Sequence, residues 1–437
     1  MTNSDERAPP AAPRSVPRYS YFVAIALMVV YVFNFLDRQF LTVLQEQVRH
    51  ELNLKDWQLG ALTGLAFALF YTVCGIPIAA MADRSNRIRI VAIASAVWSL
   101  FTACCGFANS FTTLALARIG VGVGEAGGSP PSYSVISDYF PKEKRGLALG
   151  IYSLGVPLGS MIGTMSGGFI AAAFGWRVAF WTLGAAGLVL SPLIILFIKE
   201  PKRGACDAKP DPVIDAHEPG VSMFRSIAFF VRSPPLMLTA VSAGLSAFVG
   251  YGMLNWNPSF LIREKHMTLP QIAVWYALVS GLCMAAGTFA YGAIVDRLGR
   301  KSPAAYALVP GFALLLAMPF LWGIAYAPSW PIALLFLAGP SFLNNTYLAP
   351  AIAVVQNGVP QNSRGTSGAL LLFILNLIGL GGGPLFVGAM SDHFTPQFGE
   401  HALKYALLSL TPFFILAFLC QMAAGVMLSR QAKRAAI

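Results

Sequence analysis

Four charged side chains stand inside strongly apolar stretches of this 437-residue chain: Asp37, Arg38, Arg118 and Glu125. A lone charge at the centre of a membrane helix costs about 2.5–3.5 kcal/mol on insertion scales, so such residues should pair with one another or face water. Buried carboxylates can take up and release protons, and a guanidinium can hold an anion through two hydrogen bonds. The expectation is that Asp37 and Glu125 are proton-coupling sites. Arg38 and Arg118 would then hold either a carboxylate or the anionic group of a substrate. A guanidinium favours the charged form of its carboxylate, so an anion that draws the arginine away favours protonation. That competition is a coupling mechanism in itself. The alternative is a static ion-pair network joining two helices.

The elements that position these residues follow from composition. The chain is 56% hydrophobic and only 11% charged, whereas a soluble protein averages about 25% charged residues. Disorder, a collagen-like fibre and a disulfide-stapled domain are excluded by the same figures. A spanning helix needs roughly 20 apolar residues, and about twelve such runs occur. They cover 20–44, 57–82, 88–108, 111–138, 145–172, 177–198, 234–261, 270–295, 303–325, 330–356, 365–391 and 402–428. Strands would alternate in polarity and these runs do not. Asp37 lies seven residues before the outer end of span 1, about 10 Å deep at 1.5 Å per residue. Arg118 lies at the same depth in span 4, and Glu125 sits two turns deeper on the same face, so Asp37 and Arg118 can meet at one level.

An even number of spans puts both termini on one side. Of the 30 Lys and Arg, 22 fall on that side, 6 on the other and 2 within spans. The positive-inside rule then places both termini in the cytoplasm and explains the net charge of +11 without nucleic acid. Six cysteines carry no metal spacing, and no cofactor or metal is expected. The polar, Pro/Arg-rich residues 1–19 precede an apolar run too long for a signal-peptide core, so no cleaved signal is expected. His50, His217, His266, His393 and His401 fall in loops or at helix ends, leaving no imidazole relay across the bilayer.

The expected organisation is a tail (1–19), a six-helix bundle (20–198), a cytoplasmic linker (199–233), a second six-helix bundle (234–429) and a tail (430–437). A repeat supports this division. Asp83-Arg84-x-x-Arg87 recurs as Asp296-Arg297-x-x-Arg300, Arg145-Gly146 recurs as Arg364-Gly365, and Pro157 matches Pro384.

Gly292-x-x-x-Asp296-Arg297-x-Gly299-Arg300-Lys301 resembles the signature loop of the major facilitator transporters. The first-half copy is degraded, with Ala79 and Asn86 at its glycine positions. The resemblance gives Asp83, Arg84, Asp296, Arg297 and Arg300 the part of a gating latch; ordinary positive-inside anchoring is the alternative. Phe35-Leu36-Asp37-Arg38-Gln39, with Arg118-x-x-x-Gly122-x-Gly124-Glu125-Ala126 and Asp138-Tyr139-Phe140-Pro141, resembles the Spinster family of lysolipid transporters. That resemblance implies an all-α major facilitator fold, twelve transmembrane helices in two pseudo-symmetric bundles around a cavity lined by spans 1, 4, 7 and 10. It also implies transport of lysophospholipids or sphingoid phosphates such as sphingosine-1-phosphate, with proton coupling, in a bacterial inner membrane. Gly155-Val156-Pro157-Leu158-Gly159 resembles the Gly-Pro motif of facilitator antiporters, though Ser160 departs from it. Gly124-Glu125-Ala126-Gly127-Gly128 reads as lying inside a helix, so it is no phosphate loop.

The second half offers amides and aromatics in place of buried charge. Tyr152, Asn255, Trp256 and Asn344 join Arg38 and Arg118 as candidate substrate contacts, and adjacent amides at Asn344-Asn345 need partners in an apolar run. The reading is a headgroup and proton on the first bundle and an apolar tail against the second, with general packing as the alternative. A monomer exchanging a lipid-like substrate and protons within membrane lipid is expected. A facilitator-type carrier of small organic anions or drugs is the rival. A membrane enzyme acting on lipids would need a nucleophile or metal cluster that the buried residues do not supply, and duplicated halves speak against a channel.

Overall fold

The computed structural model describes residues 16–82, 84–206, 223–299, 302–343, 346–360 and 363–435, and among these every regular element is helical. Backbone polar groups inside a bilayer have no water to bond, and a helix satisfies them within one segment. Six helical elements form the first bundle: α1 (Arg18–Leu52), α2 (Asp56–Ala82), α3 (Arg87–Cys105), α4 (Phe111–Glu125 and Ser129–Tyr139), α5 (Lys142–Phe174) and α6 (Trp176–Phe197); all but the broken α4 are each long and apolar enough to cross a membrane as one helix. Six form the second: α7 (Pro234–Lys265), α8 (Leu269–Gly299), α9 (Ala305–Tyr326), α10 (Trp330–Leu343 and Leu348–Gly358), α11 (Arg364–Leu375 through Gly383–Phe398) and α12 (Ala402–Leu408 and Thr411–Ala435). A short helix, Met223–Arg232, precedes α7; its Phe230 is buried and Ser226 Oγ donates to Ser363 Oγ at 3.0 Å.

One reading is corrected. The Gly124–Gly128 stretch does not continue a helix: α4 ends at Glu125, turns through Ala126–Gly128 and restarts at Ser129. The physical reason is local. Two glycines stabilise a helix poorly, and Pro130 and Pro131 lack the N–H that would bridge back across them. Both prolines sit where a first turn tolerates them. Glu125 therefore ends a helix about four turns from its start at Phe111, beside a stretch of irregular backbone.

The two bundles repeat one plan. In the first, α1 packs on α5, α3 on α4 and α6, and α2 on α4; in the second, α7 packs on α11, α9 on α10 and α12, and α8 on α10. The helices α2 and α8 each carry a π-turn one turn from their start, at Ala61–Leu65 and Ile272–Tyr276. Two non-glycine residues are left-handed among those described, Asn53 after α1 and His266 after α7, 213 positions apart. That spacing equals the offset between the two Asp-Arg loops.

The bundles meet along α2–α11, α5–α8 and α1–α7, and glycines show where. A Cβ on Gly60 would collide with the Pro384 carbonyl. One on Gly64 would stand 2.8 Å from Gly381 O, and one on Gly168 2.7 Å from Ala273 Cβ. All lie in the half of the molecule away from the chain ends. On the side that holds both chain ends and most of the basic residues, a Cβ on Gly75, Gly146, Gly150, Gly292 or Gly365 would meet nothing within 4 Å. The bundles are thus in close contact on the far side, while these basic-side glycines make no close contact with the other bundle.

Candidate functional site

The four intramembrane charges form two separate ion pairs. Arg118 Nη1 donates to Asp37 Oδ2 at 2.9 Å, and Arg38 donates to Glu125 Oε2 through Nε at 2.8 Å, with Nη2 also 2.8 Å away. Neighbouring positions on α1 diverge by about 100°, so Asp37 turns toward α3 and α4 while Arg38 reaches Glu125. Thr102 Oγ1 of α3 lies 2.5 Å from Asp37 Oδ1. The pairs differ in access: Arg118, Asp37 and Glu125 are at most 2% exposed, whereas the Arg38 side chain is 14% exposed. Glu125 Oε1 and Arg118 Nε have no hydrogen-bond partner among the described residues.

Aromatic rings hold the guanidinium groups in place. Arg38 lies over the rings of Phe35, Phe67 and Tyr71 at 4.8, 4.6 and 5.1 Å, and Arg118 over Phe67 at 5.5 Å. Phe67 of α2 is therefore wedged between the two cations, and desolvated contacts of this kind stabilise each by about 2 kcal/mol. The glycines of the α4 motif make room for this. A Cβ on Gly122 would stand 2.8 Å from Phe67 O and one on Gly124 2.6 Å from Trp98 N, so α4 can carry Arg118 and Glu125 against α2 and α3 only with hydrogen at both positions. Phe67 and Thr102 gave no signal in the sequence, since each is an ordinary residue in an apolar run.

The other candidates scatter. Tyr152 is buried, its ring stacked on Tyr31 at 4.4 Å and edge-on to Tyr133 at 5.2 Å, so it supports those two rings from behind. Asn255 joins the bundles: its Oδ1 accepts from Thr42 Oγ1 at 3.0 Å and its carbonyl from Gln45 Nε2 at 2.9 Å. The expectation for Trp256 is corrected. It is fully buried and spends its indole N–H on Pro384 O at 2.8 Å, joining α7 to α11 rather than lining a pocket. Asn344, Asp83 and Arg300 lie outside the described residues, as does the side chain of Asp296; Arg84 and Arg297 are exposed. Arg87, third member of the first Asp-Arg loop, is nearly fully buried and donates to Asp138 at 2.5 Å, Glu200 at 2.7 Å and Ser134 at 2.8 Å.

A second charged cluster, missed by the sequence reading, closes the far side. Arg263 of α7 takes Asp56 of α2 through two hydrogen bonds of 2.7 and 2.8 Å and Glu46 of α1 at 2.9 Å. Arg49 and Ser391 also reach Asp56, at 3.1 and 2.6 Å. Asp392 of α11 accepts from the backbone N–H groups of Asp56 and Trp57 at 3.1 and 2.7 Å, where a helix start favours an anion. A signal existed: the far side holds few cations, and Arg49 and Arg263 stand at matching ends of α1 and α7.

Among the described residues no group of three or more His, Cys, Asp or Glu could hold a metal ion. The arrangement can bind a proton, hold an anion and open or close on one side. Comparison with known proteins places the chain among transporters. The Major Facilitator Superfamily family model matches residues 27–384. The chain is 31% identical over 399 residues to an MFS-type efflux pump of Mycolicibacterium smegmatis (strain ATCC 700084 / mc(2)155), 91% of each chain. It is 28% identical over 380 residues to a hexuronate transporter of Bacillus subtilis (strain 168), 85% of this chain and 87% of that one. The crystal structure of a bacterial homologue of the human lysosomal transporter Spinster, inward-facing and unoccupied, superposes with a TM-score of 0.83 at 30% identity, over 95% of this chain and 98% of that one.

Proposed function

This chain belongs to the Major Facilitator Superfamily and is a transporter of the Spinster type rather than an enzyme; from that premise we propose a proton-coupled carrier of an amphipathic anion. The substrate class is a lysolipid or sphingoid-phosphate-like molecule, and the route is alternating access between the two bundles. The protein works as a monomer in a bacterial inner membrane, with its basic side in the cytoplasm. The observation that carries the reading is the Arg38–Glu125 pair: a partly accessible guanidinium on a fully buried carboxylate.

An anionic headgroup entering from the open side competes with Glu125 for Arg38. Once the arginine is drawn off, Glu125 is a buried carboxylate without its counter-charge, and it takes a proton. The converse step, loss of the proton, returns Arg38 to Glu125 and releases the anion. Asp37, held by Arg118, is the second proton site. On this reading an apolar tail would lie on the basic side of the bundle interface, away from the tight contacts that Gly60 and Gly64 of α2 make with α11.

One observation favours a second reading, a small organic anion such as a hexuronate. Polar groups of both bundles, Thr42 and Gln45 with Asn255, meet just beyond Arg38. Both readings are tested in proteoliposomes with an imposed pH gradient, loaded in turn with a lysophospholipid and with glucuronate. Uptake driven by protons and lost in Glu125→Gln is the expected result. Proton dependence unchanged in both Asp37→Asn and Glu125→Gln would end the coupling role. Glucuronate carried in preference to the lysolipid would replace the first substrate class with the second.

A further inference from the structure

We infer that Thr102 is a positioning residue for proton exchange at Asp37, a hydroxyl that matches the carboxyl group in both of its protonation states. The inference rests on the reading of Asp37 as a proton site and adds a residue on a helix outside the charged motifs.

Thr102 Oγ1 has a single hydrogen to donate, and two acceptors are in range: Asp37 Oδ1 at 2.5 Å and the Trp98 carbonyl, one turn back on α3, at 2.9 Å. It cannot serve both at once. When Asp37 is ionised it accepts only, so the threonine hydrogen turns to Oδ1. When a proton from the medium adds to Oδ1, an O–H bond forms, the negative charge is neutralised and nothing leaves. The new O–H then points at Thr102 Oγ1, whose own hydrogen rotates to Trp98 O. Neither state leaves a buried donor without an acceptor, and no heavy atom has to move.

The surroundings favour this hydroxyl as the adjusting group. Asp37 and Thr102 are 1% exposed. Arg118 of α4 donates to the other carboxyl oxygen, Oδ2, and can do so whether or not Oδ1 carries a proton. The remaining titratable groups near Asp37 are Glu125 of α4, which is paired with Arg38, Cys105 of α3, and Arg38 itself. Among the described residues the side-chain hydrogen bonds to the Asp37 carboxyl come from Thr102 and Arg118 rather than from any of these. A valine at 102 would fill the same volume and strand Oδ1 in both states. A serine would keep the two-way hydroxyl.

The test needs no substrate. Purified Glu125→Gln protein, in which Asp37 is the remaining carboxyl of the two pairs, is titrated by infrared difference spectroscopy, and the C=O stretch of protonated Asp37 is taken as the band lost in the Glu125→Gln/Asp37→Asn protein. Thr102→Val should change the frequency of that band and move its titration midpoint by at least half a pH unit, whereas Thr102→Ser should leave both near their starting values. Thr102→Ala serves in place of valine if the latter fails size-exclusion chromatography. A band that titrates with unchanged frequency and midpoint after loss of the hydroxyl overturns the role of Thr102 alone. A band absent already in the Glu125→Gln protein, and not restored at any pH, overturns Asp37 as a proton site and the inference with it.

Discussion

Arg263 grips Asp56 across the seam between the two bundles, with Nη1 2.7 Å from Oδ2 and Nη2 2.8 Å from Oδ1. The fork of one matches the carboxylate of the other, and Glu46 and Arg49 of α1 and Ser391 and Asp392 of α11 gather round the same point. Hydrogen bonds to charged groups contribute about 1.5–3 kcal/mol each. Removing the fork with Arg263→Gln should therefore shift the balance between far-side-closed and far-side-open states by about tenfold or more. Spin labels on the exposed residues His50 and Glu400, in a background without the native cysteines, would register this as a longer distance population. An unchanged distance distribution would mean that the clasp does not set the balance.

The glycine seam predicts a contrast between two identical substitutions. Gly64→Ala puts a methyl 2.8 Å from a carbonyl of the other bundle, while Gly75→Ala meets nothing. Overpacking costs about 1–3 kcal/mol, so Gly64→Ala should lower the melting temperature. Alanine is the better helix former by about 1 kcal/mol, so Gly75→Ala should leave it unchanged or raise it. Equal effects at the two sites would contradict a molecule sealed on one side only.

The Asp37–Arg118 pair predicts a non-additive cycle. Breaking a buried pair from one side costs about 3–5 kcal/mol because the remaining charge is left uncompensated. Arg118→Leu should destabilise strongly, and Asp37→Asn in the same chain should recover much of the loss. Thermal unfolding of the two singles and the double measures the coupling. Strictly additive losses would show that the two side chains do not act as a pair.

Arg38 separates charge from shape. Lysine keeps the charge but gives up the paired donors and the flat stacking on Phe67 and Tyr71. Arg38→Lys should fold normally yet weaken binding of a fluorescent lysophospholipid about tenfold or more, read as a rise in half-saturation concentration. Binding retained at full strength would assign the anion to another group.

Much of the architecture is written along one dimension. The count of spans, the division into halves and the repeat at 213 residues depend on apolar run length and on residue order, and a bilayer enforces both whatever the partners are. The four buried charges were legible for the same reason: at positions 37, 38, 118 and 125 their cost stands out against apolar neighbours. The break of α4 after Glu125 was also present, in two glycines and two prolines, but was read as continuous helix.

Partnership was not written there. Whether Asp37 takes Arg118 or Arg38, why Phe67 stands between two guanidiniums and how Thr102 reaches a carboxylate 65 positions away depend on how α1 to α4 rotate about their axes. Helix rotation is set by close packing of many side chains at once, each too small a contribution to read singly. The side on which the bundles close was likewise decided in three dimensions, because Arg263 and Asp56 lie 207 residues apart and look like ordinary loop-end charges until the fold brings them together.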